Sequence, residues 1–353
     1  MKIYKNYNLT ELNTFGIKAF ADFLVEIESE DDLKALFVLS EFKENKKMFL
    51  GGGSNVLFTK DFKGIVILNK LKGIKVVKEE SEKVEIRAMG GEIWNDLVLF
   101  AVNHGYWGIE NLSLVPGTVG ASPIQNIGAY GVELKDILWN VEAFDIETGI
   151  KKTFSKEECE LGYRDSIFKK KLKGKYFISA ITLRLSKAPQ PNISYGGLKN
   201  YLEENKIEIN NLKNISEAVV SIRKSKLPDP KITGNAGSFF KNVFVEKNKL
   251  EDLLEKYPNM PHFEEEASPD LTPAPSPCKG EGGNIKIPAG WLIEQTGWKG
   301  KRIGNVGVHE KQALVLVNYG GATGEEVLDL ANKIIMSVKE KFGLELMPEV
   351  NLI

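Results

Sequence analysis

At 353 residues the chain exceeds one ordinary hydrophobic core and implies two or three domains. Its 42% hydrophobic and 27% charged residues exclude global disorder, and no apolar run reaches the ~18 residues that a bilayer span needs. A formal net charge of -1, from 47 basic and 48 acidic residues, gives no reason to expect nucleic acid or a membrane surface as partner.

Two cysteines, Cys159 and Cys278, make no disulfide framework. The N-terminus lacks the apolar stretch of a signal peptide, so a cytoplasmic protein is expected. His104, His262 and His309 stand at no metal-ligand spacing, and no metal site is expected. Only Arg87, Arg164, Arg184, Arg223 and Arg302 are arginines among the 47 basic residues. In so lysine-rich a chain, each arginine suggests a place where a planar fork is needed.

In chain order, Ser29 with Asp32 three residues on reads as a helix start, followed by Leu33, Leu36, Phe37 and Phe42 at helical spacing. Met48, Phe49 and Leu50 form a short buried strand that runs into Gly51-Gly52-Gly53-Ser54-Asn55. Residues 65–68 are another apolar run. Val84, Ile86 and Ala88 alternate with Glu85 and Arg87, as in a half-buried strand. Ile93, Trp94, Leu97, Phe100 and Ala101 mark a helix that closes at Gly105.

Residues 108–131 are apolar, but glycine and proline deny them a long helix or strand; apolar, irregular backbone usually lines something. Strands return at 141–146 and 177–185. A helix over 217–224, the turn Pro228-Asp229-Pro230 and the segment 234–242 open a second unit. Its best-defined element is a last helix, capped by Thr323 and Glu326, with Val327, Leu328, Ala331, Ile334, Ile335 and Val338 as its buried stripe and Gly343 as its end. Residues 267–283 carry prolines at 269, 273, 275 and 277 and read as an exposed, mobile insertion with Cys278 inside it.

Consecutive glycines after a strand can present several backbone N–H groups to a phosphate, since no Cβ blocks the approach. For the triple glycine alone, a tight turn and a phosphate cradle stay open. It is neither of the common dinucleotide or P-loop motifs.

The order of motifs is more specific. Asn13-Thr14-Phe15-Gly16, the glycine turn, Ser122-Pro123-Ile124-Gln125-Asn126-Ile127-Gly128-Ala129-Tyr130-Gly131, and Gly162-Tyr163-Arg164-Asp165-Ser166 come first. Lys226-Leu227-Pro228, Gly234-Asn235-Ala236-Gly237-Ser238-Phe239-Phe240-Lys241-Asn242, Ala289 through Gln295, and Pro348-Glu349 follow. From residue 13 to residue 350 the chain resembles the UDP-N-acetylenolpyruvoylglucosamine reductases, in the subgroup with a mobile tyrosine loop.

The resemblance implies an α+β fold: a two-lobed FAD-binding domain of type 2 (PCMH/VAO-like) and a C-terminal α+β substrate-binding domain. The expected divisions are 1–70 and 71–215 for the two lobes, 216–347 for the substrate domain with the Pro-rich insertion, and 348–353 for a segment carrying Glu349. It implies FAD and NADPH as cofactors, a UDP-sugar enolpyruvyl ether as substrate, and a monomer. In that reaction a hydride reaches the double bond by way of the flavin, and the resulting carbanion is quenched by a proton.

Residue by residue, Ser238 matches the family's proton donor, and Arg164 and Glu349 its other catalytic positions. A guanidinium fork suits a carboxylate whose charge is rising. For the flavin, the resemblance points to Gly51, Gly52, Gly53, Ser54 and Asn55, then Pro116, Gly117, Ser122, Gln125, Asn126, Gly128, Ala129, Tyr130 and Gly131, with Arg223. Tyr195, Lys226, Asn242 and Gln295 fall to the substrate diphosphate. Val243 stands where the family often has proline, and Asn351 where arginine is more usual. Two rival readings remain on the residues: another FAD-linked dehydrogenase or oxidase on the same scaffold, and a UDP-sugar-binding protein without catalysis.

Overall fold

The structure, a computed structural model, describes residues 1–264 and 285–353; the Pro-rich stretch 267–283 with Cys278 lies outside the described residues. The chain divides into two compact units. One comprises Met1–Leu12, Ala19–Ser54 and Asp61–Lys226, and the other Asn13–Lys18, Asn55–Lys60 and Leu227–Ile353. Among the described residues, no helix is long and apolar enough to cross a membrane.

The first unit holds two sheets. In the first, the strands Lys2–Asn8, Phe20–Ile27, Phe62–Asn69 and Lys47–Leu50 lie side by side, antiparallel in the first pair and parallel in the other two. In the second, Lys151–Ser155, Leu138–Asp145, Tyr176–Ser186, Lys83–Met89 and Ile74–Glu79 are antiparallel throughout. Alternation decides the faces. Val84, Ile86 and Ala88 join Val141, Ala143, Ile181 and Leu183 in one core, under the helices Trp94–Asn103, Gly196–Glu204 and Leu212–Lys226. Phe144 and Phe177 leave that sheet on its other side and pack with Val25, Ile27, Ile65 and Ile67 of the first sheet. Two cores thus share one five-stranded sheet.

Several expected elements differ in detail. The first helix is Glu30–Val38, and Phe42 belongs to a separate short helix, Ser40–Glu44. Leu39 between them is extended at ψ 142°, so the ladder stops there. Met48 and Phe49 are half-buried, with only Leu50 of that strand fully covered. The helix expected over 217–224 runs Leu212–Lys226, because Leu212, Ile215 and Ser216 are buried as its first turns; the expected division at 215/216 falls inside it.

The second unit has a four-stranded antiparallel sheet of Gly234–Ser238, Val315–Asn318, Val306–Val308 and Arg302–Ile303. A three-stranded sheet follows, Val243–Val245, Ile285–Ile287 and Phe263–Glu264. The long helix Gly324–Phe342 starts at the Thr323–Glu326 capping box and ends at Gly343 in the left-handed region, φ 65°. Its buried side is Val327, Leu330, Ala331, Ile334, Val338 and Phe342, whereas Leu328 and Ile335 are half-buried. Two early segments complete this unit. Thr14 O accepts from Asn235 N at 2.9 Å and Phe15 O from Asn318 Nδ2 at 2.8 Å, while Thr59 N donates to Ile353 O at 2.9 Å. The pair Val56–Leu57 runs parallel to Asn351–Leu352.

Candidate active site

The triple-glycine turn leaves its strand at Leu50 and meets the Pro116–Thr118 turn backbone to backbone. A Cβ on Gly51 would fall 2.3 Å from Thr118 Oγ1, and one on Gly52 would lie 3.0 Å from Gly117 Cα. Gly117, at φ 108°, lies over Ser54, whose Oγ a Cβ would meet at 3.1 Å. The two glycine loops form one wall because positions 51, 52 and 117 have no Cβ to hold them apart. A cavity of about 600 Å³ opens on this wall, lined by Gly51, Thr118, Asn69, Gly91, Lys70 and Lys72. Thr118 Oγ1 is buried there without a hydrogen-bond partner. Asn55, the last residue of the motif, belongs to the other unit, where its carbonyl accepts from Asn351 N at 3.1 Å and Nδ2 at 2.9 Å. The unusual Asn351 thus has a bond of its own to make.

The second glycine stretch turns through Asn126 (φ 43°) and Tyr130 (φ 51°), both left-handed. Asn126 is fully buried and holds the corner, its Nδ2 donating to Glu133 Oε2 and Gly162 O at 2.9 Å each and its Oδ1 accepting from Lys135 N at 3.0 Å. Arg164 is brought to this corner. Its Nη2 donates to Gly128 O at 2.7 Å, its guanidinium lies 5.4 Å from the centre of the Tyr163 ring, and its backbone is left-handed at φ 53°. Neighbouring Asp165 pairs with Lys170 at 2.5 Å. Ser122 is buried, and its hydroxyl donates to Val119 O at 2.7 Å, so it braces the turn. Gln125 and Ala129 are half-exposed, with Ala129 in the short pair Gly128–Ala129 against Val132–Glu133.

Tyr130 connects this turn to two further expected residues. Its ring stands edge-on to Tyr195, with centroids 5.3 Å apart. Its hydroxyl lies beside the Arg223 guanidinium, whose Nε is buried without a partner. Burial pulls the Arg223 guanidinium below its ordinary pKa, against the favourable influence of Tyr130. Burial pushes the Tyr130 phenol up. A cation desolvated beside a phenol, with one N–H unsatisfied, is a group prepared for an anion. Lys226 lies exposed one turn on, at the end of the same helix.

In the second unit, Ser238 ends the strand Gly234–Ser238 and is exposed. A bulge between Asn235 and Ser238 shifts the register against Val315, and Gly237, at φ 68°, faces open space. Phe239 and Phe240 follow, almost wholly buried, so the serine sits on a rigid base. Glu349 is brought to the same place: its N–H donates to Phe239 O at 2.8 Å, Phe240 bridges Pro348, and Lys241 N donates to Met347 O at 2.9 Å. Asn242 Oδ1 accepts from Ala289 N at 3.1 Å and so caps the helix Ala289–Gln295. Gln295 is at the opposite, exposed end of that helix, about 9 Å along its axis at ~1.5 Å per residue, and is not gathered with Asn242.

The other three arginines also use their planes. Arg87 forks onto Glu142, with Nη2 to Oε2 at 2.7 Å; Arg184 lies 4.7 Å from the Trp139 ring centre and Arg302 4.2 Å from that of Tyr319. Sequence reasoning missed Thr118 and the fully buried Asn111, both within the irregular apolar stretch it marked as lining something. Among the described residues, no group of three or more His, Cys, Asp and Glu is placed to hold a metal.

The Flavobacterium johnsoniae protein named UDP-N-acetylenolpyruvoylglucosamine reductase is 45% identical over 354 residues, covering 100% of each chain, and that of Amoebophilus asiaticus is 48% identical over the same length. This chain belongs to the UDP-N-acetylenolpyruvoylglucosamine reductase family. The family model for the C-terminal domain of that reductase matches residues 229–353, and an FAD binding domain matches residues 21–153. A crystal structure of the Thermus caldophilus reductase superposes with a TM-score of 0.66 at 22% identity, covering 99% of this chain and 98% of its own, which is a likeness of fold.

The cofactor of this reductase family member is FAD, and the residues of the FAD-binding region fit it. A double wall of glycines, which any Cβ at Gly51 would break, leaves backbone open to a diphosphate, and Thr118 Oγ1 offers a buried hydroxyl with no protein partner. Gly51, Gly52 and Gly117 with Thr118 are the groups that would hold it.

Proposed function

We propose that this chain catalyses the FAD-dependent reduction of UDP-N-acetylglucosamine enolpyruvate to UDP-N-acetylmuramate in peptidoglycan precursor synthesis, with NADPH as reductant. Family membership supports the reaction. The observation that carries the assignment of residues is the setting of Ser238, an exposed hydroxyl at a bulged strand end, fixed by two buried phenylalanines and adjoined by Glu349.

Bound FAD supplies hydride transfer, which no side chain can perform. Ser238 holds the proton for the substrate carbon. A serine is a weak acid, so a rigid placement against a strongly basic carbanion is what it needs. Glu349, held by its N–H to Phe239 O, stands beside it as the second polar group of that strand end. Arg164 presents a fork whose plane is fixed by Gly128 O and the Tyr163 ring, suited to the substrate carboxylate. Tyr195, Lys226, Asn242 and Gln295 are assigned to the substrate diphosphate, and Arg223 to the flavin or its phosphates.

An anaerobic titration tests the reading. The purified chain is expected to be yellow, to bleach with NADPH, and to regain its colour with the enolpyruvyl substrate. Protein that takes up no FAD removes the flavoenzyme; bleached protein reoxidised by oxygen but not by the substrate identifies a different dehydrogenase or oxidase.

A further inference from the structure

The loop that carries Tyr195 is tied down at its beginning. Asn111, 0% exposed, donates from Nδ2 to Tyr130 O at 2.7 Å and to Asn192 O at 2.8 Å. Asn192 returns a bond to the same turn, Nδ2 to Gly131 O at 3.1 Å. Its Oδ1 accepts from Ser194 N at 3.1 Å and Ser194 Oγ at 2.7 Å, which folds the chain into a turn leading directly to Tyr195. Gly131 is left-handed at φ 85°, and a Cβ there would fall 2.6 Å from Ser194 Oγ, so this approach requires glycine. Past these bonds Tyr195 is 47% exposed, touches Tyr130 ring to ring, and its carbonyl receives Leu198 N and Lys199 N at the start of the next helix.

Packing does not explain Asn111. Its Oδ1 is buried without a partner, an arrangement that costs stability. What the residue supplies is two donors on one nitrogen, one to each loop. We infer that Asn111 is a positioning residue for Tyr195, forming with Asn192 a hinge that keeps the Tyr195 loop in register with Tyr130. The consequence for catalysis rests on the assignment of Tyr195 to the substrate diphosphate; the hinge itself does not.

The FAD-loaded enzyme carrying Asn111→Leu, which keeps a branched outline and removes both donors, is compared with Tyr195→Ala and with the double variant. Hydrogen exchange of the 193–199 amides is expected to quicken about tenfold in Asn111→Leu, and the KM for the UDP-sugar to rise about tenfold, as two lost hydrogen bonds allow. The kcat and the rate of flavin bleaching by NADPH stay at wild-type values, and Asn111→Leu adds no further KM rise on top of Tyr195→Ala. Wild-type exchange at 193–199 overturns the hinge. A KM rise that adds in full to that of Tyr195→Ala overturns positioning through Tyr195. Tyr195→Ala with an unchanged KM removes the substrate assignment of Tyr195 instead, and exchange alone then decides the hinge. Should Asn111→Leu not fold, Asn192→Ala, at a half-buried site, takes its place: faster exchange supports the hinge and wild-type exchange overturns it.

Discussion

Replacing Glu142 by glutamine should weaken the first unit by an amount that depends on pH. Glu142 lies on the strand Leu138–Asp145 and Arg87 on Lys83–Met89, with Tyr176–Ser186 between them. The fork crosses that central strand because Ala180, which pairs with both Glu142 and Met89, is too small to intervene. Lys151 joins from the next strand, 2.8 Å from Glu142 Oε2, and reaches Glu30 at 2.7 Å. The bonds from Arg87 are the largest influence holding the Glu142 carboxyl down at about 2 from an ordinary 4.5, with burial opposing and Lys151 adding to the effect. At ~1.4 kcal/mol per pH unit this is about 3 kcal/mol of native-state stability. The native pKa is the depressed one, so the contribution is complete above pH 4.5 and disappears as pH falls through about 2. Unfolding free energies of wild type and Glu142→Gln from urea titration should therefore differ most at pH 7, by about 3 kcal/mol plus the cost of leaving Arg87 unpaired, and the gap should shrink by roughly half the carboxylate part at pH 3. A gap of the same size at both pH values refutes the electrostatic account and leaves only packing.

Thr118→Val removes a hydroxyl that has no protein partner, so the apoprotein should be as stable as wild type while FAD binds about tenfold more weakly by flavin fluorescence; equal affinity refutes the cofactor contact. Gly51→Ala places a methyl 2.3 Å from Thr118 Oγ1 and should purify with much less flavin, read from its absorbance. Ser238→Ala should lose about 10²–10⁴-fold in turnover with the enolpyruvyl substrate while NADPH still bleaches the flavin at the wild-type rate. Burial raises the Glu110 pKa despite the bond its Oε2 accepts from Gly108 N at 2.7 Å; the native state then favours the protonated form, a stabilisation lost as pH rises. Glu110→Gln should accordingly raise Tm at pH 7.5 and leave it unchanged at pH 4. Burial also pushes the Cys159 thiol up to about 12, so iodoacetamide at pH 8 should label Cys159 only after unfolding, as read by peptide mapping.

How much of this was legible in the sequence depends on how local each cause is. The C-terminal helix is legible because its cap, its period and its terminal glycine lie within twenty-odd residues of one another. Its buried face is less so: Leu330 and Phe342 replace Leu328 and Ile335, since the stripe follows what the helix rests on and not spacing alone. The stop at Leu39 is invisible for a similar reason, as leucine propagates a helix unless tertiary packing draws it into extended backbone. Long-range membership is harder still. Asn13–Lys18 and Asn55–Lys60 join the second unit through hydrogen bonds to Asn235, the Asn318 side chain, Asn351 and Ile353, which carry no signature in the intervening sequence. At the site, the glycines stand out because their chemistry lies in what they lack, and Ser238, Arg164 and Glu349 only through whole motifs. Asn111 and Thr118 fall between these cases. Each is one small polar residue in an apolar, irregular stretch, and what marks it is an atom left without a partner. A sequence shows which donors and acceptors exist; only coordinates show which remain unsatisfied, and at this site those are the atoms most informative about what binds and what holds a loop in place.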